Sequence, residues 1–419
     1  MRRWMAALSV AAGCVSASLG GGAARGAELV FSTWRQEDKA AYTALFNEFT
    51  QQNPGITVRF EAYPNEQYQT VLSTALAGGK GADVIHTKPY GGLEQLARAG
   101  YLVPLDDKVP ALKDFPPGAL NALSLRADKH VYSVPFASQT LGIFVNQDVF
   151  RRAGVQPAAN WDEFLALCRT LKDKGIQPLA NGTNSPFMTE VLTSTLTNPF
   201  LQQAGGADFA GDIQAGRSTF RDKRYVDALA HLLEIRDFLP PSFSGVDYPT
   251  MQQLFSTGRA AMFIGGSFEI APFRKANPRL DMDFVAPPAA QPGGPRPVSL
   301  YYDGGYAVNA KSANGEDALK LVRFMATKPF GDRFVQLLGN ISPIPGVKID
   351  DDLLNRVAGL NATSAPYLML TYFRFESPTG SELLQNAVQR MMNGSETPAQ
   401  VGDEITAGIA KYYPPFQTK

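Results

Sequence analysis

The sequence predicts an α/β protein built as two lobes. Three observations predict it. Short apolar strands alternate with helices that are apolar on one face from Glu28 to Ala99, the signature of a largely parallel sheet covered by helices. The chain has 419 residues, enough for two bodies with separate cores. A second set of elements starts at Leu141–Asn146, an apolar, β-branched and aromatic run containing one Gly, long enough for a buried strand.

Taken in order, Glu28–Thr33 is the first strand and breaks at Trp34-Arg35-Gln36-Glu37-Asp38. The helix that follows carries Tyr42, Leu45, Phe46 and Phe49 on one face and is closed by Asn53-Pro54-Gly55. Ile56–Phe60 is a second strand, Gln67–Leu76 a helix ended by Gly78-Gly79, Ala82–His86 a third strand and Gly92–Ala99 a helix. Ligands of such sheets bind at the carboxyl ends of strands, which here are the loops Trp34–Asp38 and Thr87–Gly91. A polar loop, Ser133–Thr140, precedes the strand Leu141–Asn146. Beyond it, helices over Trp161–Lys174, Thr189–Gln203 and Tyr225–Phe238 are each apolar on one side. Cys168 shares a stripe with Trp161, Phe164, Leu165 and Leu171, so it reads as a packed core thiol.

Composition narrows the function. Charged residues make up 19% and hydrophobic ones 44%, and the net charge is zero. No basic field exists to gather nucleic acid or anionic lipid. The 38 Gly and 30 Pro are spread along the chain and read as turns. Met1-Arg2-Arg3, apolar Trp4–Val15 and small-residue Ser16–Ala27 read as an export signal over 1–27, and its apolar core is too short to stay in a bilayer. The expected product is periplasmic. The alternative is a lipoprotein anchored through Cys14, since Ala11-Ala12-Gly13-Cys14 resembles a lipoprotein box without its usual Leu. No dinucleotide, P-loop, zinc-protease or Cys-x-x-Cys motif is present, and no metal or other cofactor is expected. His86, His130 and His231 are the only histidines, without a second metal-type residue at ligand spacing.

The order of motifs carries a resemblance. Pro135–Phe150 (PFASQTLGIFVNQDVF) leads to Asn160-Trp161-Asp162-Glu163-Phe164. Gly81–Asp107, Arg259–Phe268, Tyr301–Ser312 and Ile341–Gly346 keep the same succession. Together they resemble the bacterial extracellular solute-binding proteins of family 1, the maltose-binding-protein-like sugar receptors of ABC importers. The resemblance implies the type II periplasmic binding protein fold, with a ligand cleft between lobes and three hinge crossings. These are expected near Phe136–Thr140, Val285–Pro288 and Ser342–Gly346. Lobe one would comprise 28–138 plus 289–343, and lobe two 139–288 plus 344–419.

A sugar offers hydroxyls and flat C–H patches, so its site needs aromatic faces, carboxylates, amides and cations. Trp34, a loop aromatic outside any core stripe, is the first candidate. The resemblance adds Gln36 and Glu37 in that loop, Glu61 after the second strand, and Lys88 and Tyr90 after the third. It adds Gln139 at the first crossing, Phe187 and Phe268 as stacking faces, Glu269 beside Phe268, and Tyr302 and Asp303 in the return segment. Ser185, Met188, Ser381 and Gln385 depart from the family pattern, which argues against maltose; Phe373 and Phe375 could supply the missing aromatic face. The expected function is therefore a monomeric receptor for a small carbohydrate, mono- or oligosaccharide, that hands it to ABC permease subunits without covalent chemistry. The alternatives are a secreted glycoside hydrolase, with carboxylates among Glu37, Glu61, Glu269 and Asp303, or the same fold binding a metal complex, polyamine or peptide.

Overall fold

The computed structural model describes residues 26–417. Of the expected leader, residues 1–25, with Cys14, lie outside the described residues, and Ala27 already belongs to the first strand. The strands in chain order are β1 Ala27–Thr33, β2 Ile56–Ala62, β3 Val84–Thr87, β4 Val134–Pro135, β5 Ser138–Asn146, β6 Gln177–Leu179, β7 Ala260–Gly266, β8 Met282–Val285, β9 Val298–Tyr302, β10 Gly305–Val308 and β11 Ser364–Pro366.

They form two sheets. The first runs β2-β1-β3-β10-β4. β1 is parallel to β2 and β3, while β10 runs antiparallel to β3 and β4. β1, β2 and β3 are the strands of the alternating segment read from the sequence, and β4 and β10 join them from later in the chain. Its core gathers Phe31, Tyr42, Phe46 and Tyr306, with the Tyr42 and Tyr306 hydroxyls 2.6 Å apart.

The second sheet runs β11-β9-β5-β7-β6, with β8 also on β5. β5 binds β9 through Ser138–Leu141 and β8 through Ile143–Asn146, and β7 takes Leu141–Val145. Alternation along β5 and β7 sends side chains to two cores. Phe144 and Phe263 meet Phe255, Phe273 and Phe284 on one face, with ring centroids 4.8 Å apart for Phe144–Phe284. Ile143, Val145, Met262 and Ile264 join the other face, which holds the buried Cys168 and the helices Trp161–Asp173, Lys223–Leu233, Gly380–Met392 and Pro398–Ala410.

One expectation changes here. The second crossing was placed near Val285–Pro288, with 289 onward returned to lobe one. β8 and β9 instead both hydrogen-bond to β5 in the second sheet. The chain leaves that sheet after Tyr302 and enters the first at Gly305. Apolar patterning marks a strand but not the edge it will occupy, and that is why the passage was set too early.

Candidate functional site

Three passages join the two sheets, and Gln139 connects all of them. It lies on β5 just past the first passage and is fully buried. Its Nε2 donates to Asn340 Oδ1 at 2.9 Å, at the third passage. The same nitrogen is 3.5 Å from Asp303 Oδ2, in the second. Its Oε1 accepts from Ser267 Oγ at 2.7 Å. An amide serves here because it donates on one side and accepts on the other.

The first lobe contributes the ends of β1 and β3. Trp34 follows β1 and is only 9% exposed. Its indole lies against His86, with centroids 4.0 Å apart, and the Lys88 ammonium stands 4.2 Å from its ring centroid. Thr33 Oγ1 is 2.9 Å from His86 Nδ1. Burial holds the imidazole pKa well below its usual value, with Arg35 and Lys88 adding to the effect, which favours the neutral ring. Lys88 hydrogen-bonds Asn65 Oδ1. Burial lowers its pKa to about 8 although Asp303 pulls the other way. Arg35 is tied to Asp38, and its guanidinium is 3.4 Å from Glu37.

Tyr90 adopts φ 54° and is 9% exposed; it reaches Thr371 and the backbone of Tyr302, and burial pushes its hydroxyl up to about 12. Tyr302 is half-buried beside Gly118. Burial raises the Asp303 carboxyl, against the pull of Arg35, Lys88 and Arg374.

The second lobe contributes Phe187, edge-on to Tyr248 with centroids 4.9 Å apart. Phe268 folds back over Gly266. Next to it Glu269 is fully buried and accepts from Tyr248 Oη at 2.7 Å and Gln252 Nε2 at 2.8 Å. Burial raises its carboxyl to about 7, and the charge of Glu37 in the opposite lobe adds to the shift. The two walls are therefore within electrostatic reach of each other.

Two candidates stand apart from this gathering. Glu61 is bound by Arg59, whose guanidinium also reaches Glu28 along the outer edge of β2. Gln36 is exposed in the turn before the helix Lys39–Gln52. Three residues were missed. Arg35 was noticed only as a neighbour of Trp34. Tyr248 had no signal beyond being an aromatic near a helix start. Arg374 donates to Glu190 Oε2 at 2.8 Å and to Ser381 Oγ at 2.5 Å, while Gln385 Nε2 gives Glu190 a further bond of 2.6 Å. Ser381 and Gln385 thus hold a buried carboxylate that fixes an arginine from another segment.

Chemically, the arrangement offers hydroxyl acceptors (Asp303, Glu269), donors (Lys88, Arg374) and half-buried rings from both lobes, while the one Tyr248 proton is already given to Glu269. Among the described residues, no three His, Cys, Asp or Glu side chains cluster as a metal site.

The bacterial extracellular solute-binding protein family matches residues 33–330 of the chain. The multiple sugar-binding protein of Streptococcus mutans is 24% identical over 331 residues, 75% of either chain. The maltotriose-binding protein of Pyrococcus abyssi is 24% identical over 345 residues, 79% of this chain and 69% of that one. A solved chitin oligosaccharide binding protein has the same fold, with a TM-score of 0.79 at 19% identity over 92% of this chain and 98% of that one.

Proposed function

The chain belongs to the bacterial extracellular solute-binding proteins, and from that premise we propose that it is the substrate receptor of an ABC importer. It binds a small carbohydrate between its lobes and delivers it to the permease in the membrane. It is exported by the segment 1–27 to the periplasm and works as a monomer. Lobe one is built on the first sheet and lobe two on the second, with the hinge at Pro135–Ser138, Tyr302–Gly305 and Asn340–Ile344.

The observation that carries this reading is the convergence on Gln139. Residues of all three passages meet there, beside polar groups from both walls. We assign the inner wall to Trp34, Lys88, Gln139 and Asp303. Glu37 and Tyr90 line the rim of lobe one, Tyr302 stands at the end of β9 where the chain leaves lobe two, and Phe187, Phe268 and Glu269 face the rim from lobe two. Arg35, Tyr248 and Arg374 complete the set. Glu61 and Gln36 stay outside it. A ligand that touches both walls shifts the lobes only as far as it binds the closed state better.

The test is a thermal-shift panel of mono- to tetrasaccharides that includes maltotriose and chitin oligosaccharides. At least one sugar is expected to raise the melting temperature with saturable dependence. A panel without a shift, together with a shift from a peptide, polyamine or ferric complex, would transfer the fold to another ligand class. Hydrolysis of a glycan by the purified chain would end the receptor reading.

A further inference from the structure

Gly91 opens the helix Gly91–Arg98 of the first lobe. Its φ lies outside the left-handed region, so backbone conformation does not require a glycine there. Close approach does. A Cβ at this position would fall 1.8 Å from the carbonyl oxygen of Arg374 and 2.9 Å from the amide nitrogen of Phe375. Both belong to the second lobe, just ahead of its helix Gly380–Met392. Two backbones from opposite lobes therefore touch at a point separate from the three passages.

The surroundings reinforce this contact. The Arg126 guanidinium carbon stands 3.5 Å from the ring centroid of Phe375, within range of a cation–π attraction. Arg98 Nη1 is 3.2 Å from Glu376 Oε1. Both arginines are aimed by one carboxylate on the first lobe. Glu94, 3% exposed, accepts from Arg126 Nε at 2.7 Å, from its Nη2 at 3.0 Å, and from Arg98 Nη2 at 2.5 Å. Glu94 thus prepares one half of the contact inside lobe one, and Arg374–Glu376 bring the other half.

We propose that this contact between Gly91 and Arg374–Glu376 exists only in the closed molecule, and that part of the affinity for ligand comes from it. The proposal rests on the two-lobed receptor reading above. A contact made in one state alone tightens every ligand that selects that state, without touching the ligand. Gly91 is in this sense a positioning residue for capture.

The test uses the full chain. Gly91→Ala puts a methyl where the two backbones meet, next to the wall residues Tyr90 and Arg374, and leaves the three passages untouched. With the sugar that gives the largest shift in the panel, the variant is expected to bind about tenfold more weakly or worse, because the closed state is withheld. Its small-angle scattering radius is expected to stay at the ligand-free value under saturating sugar, while its ligand-free melting temperature matches the parent. Arg126→Ala keeps the glycine and weakens the same contact; it is expected to bind about threefold more weakly, a loss consistent with an exposed cation–π pair. A ligand-free measurement separates this proposal from the sugar reading. A short bis-maleimide between Arg98→Cys and Glu376→Cys is expected to cross-link the lobes, and adding Gly91→Ala is expected to abolish the cross-link. If no sugar binds the parent, the receptor reading fails and the cross-link alone judges the contact. Parental affinity and compaction in Gly91→Ala, or a cross-link that is equal in both backgrounds or absent from both, overturns the proposal.

Discussion

Glu269 shows how much a single buried carboxyl can report. Its folded pKa of about 7 stands above the ordinary value of 4.5 because burial disfavours the charged form. A raised acid contributes stability that is complete below the unfolded pKa and is lost as pH climbs through the folded one. From pH 4.5 to 8, Glu269→Gln is therefore expected to gain on the parent by on the order of 3 kcal/mol, read from urea midpoints. Parallel curves for the two proteins would remove the carboxyl from this role. Cys168 is a second residue-scale case. Its thiol is buried and pushed up to about 12 by that burial. Labelling of Cys168 at pH 8, followed by mass spectrometry, is expected only after denaturant is added. The core character of Cys168 was legible because its stripe neighbours are local. Arg374 was not: what makes it a candidate is Glu190, on a helix far away in sequence, and no local pattern announces such a partner.

At the scale of elements, most helices and strands were readable where one face is apolar. The expected helix Trp161–Lys174 ran one residue too far, and Thr189–Gln203 lacked only its first three residues. The helix Trp161–Asp173 was announced by Asn160, whose side chain accepts from the Glu163 amide. Asn160→Ala is expected to cost about 1 kcal/mol in chemical denaturation, the usual worth of such a cap. β5 shows where reading stopped. Ser138, Gln139 and Thr140 looked like a polar loop, yet they are strand residues at most 7% exposed. Their polar groups are answered by distant partners: Ile341 for Ser138, Asn340 for Gln139, Asn361 for Thr140. Further along, Phe144→Ala would open a hole among Phe255, Phe263, Phe273 and Phe284 and is expected to cost about 3–5 kcal/mol. A loss under 1 kcal/mol would mean that the five-ring cluster collapses freely around the gap.

At the scale of the whole molecule, the two-lobed plan was legible from length, alternation and motif order, while the ownership of Val298–Tyr302 was not. Strand pairing across more than a hundred residues leaves no local trace, and β9 looks equally suited to either sheet. Saturation with the right sugar, at about 100 times its dissociation constant, is expected to add roughly 2.7 kcal/mol to stability. It should also shrink the scattering radius in the parent. The meeting of three passages at Gln139 has one more consequence. Points near a pivot travel least while the outer edges sweep widest. A sugar hydroxyl docked against Asp303 would keep its neighbours throughout the swing, so arrival and enclosure become successive events. Rapid-mixing traces should then approach a ceiling rate as sugar concentration rises, set by the swing and indifferent to how often molecules collide.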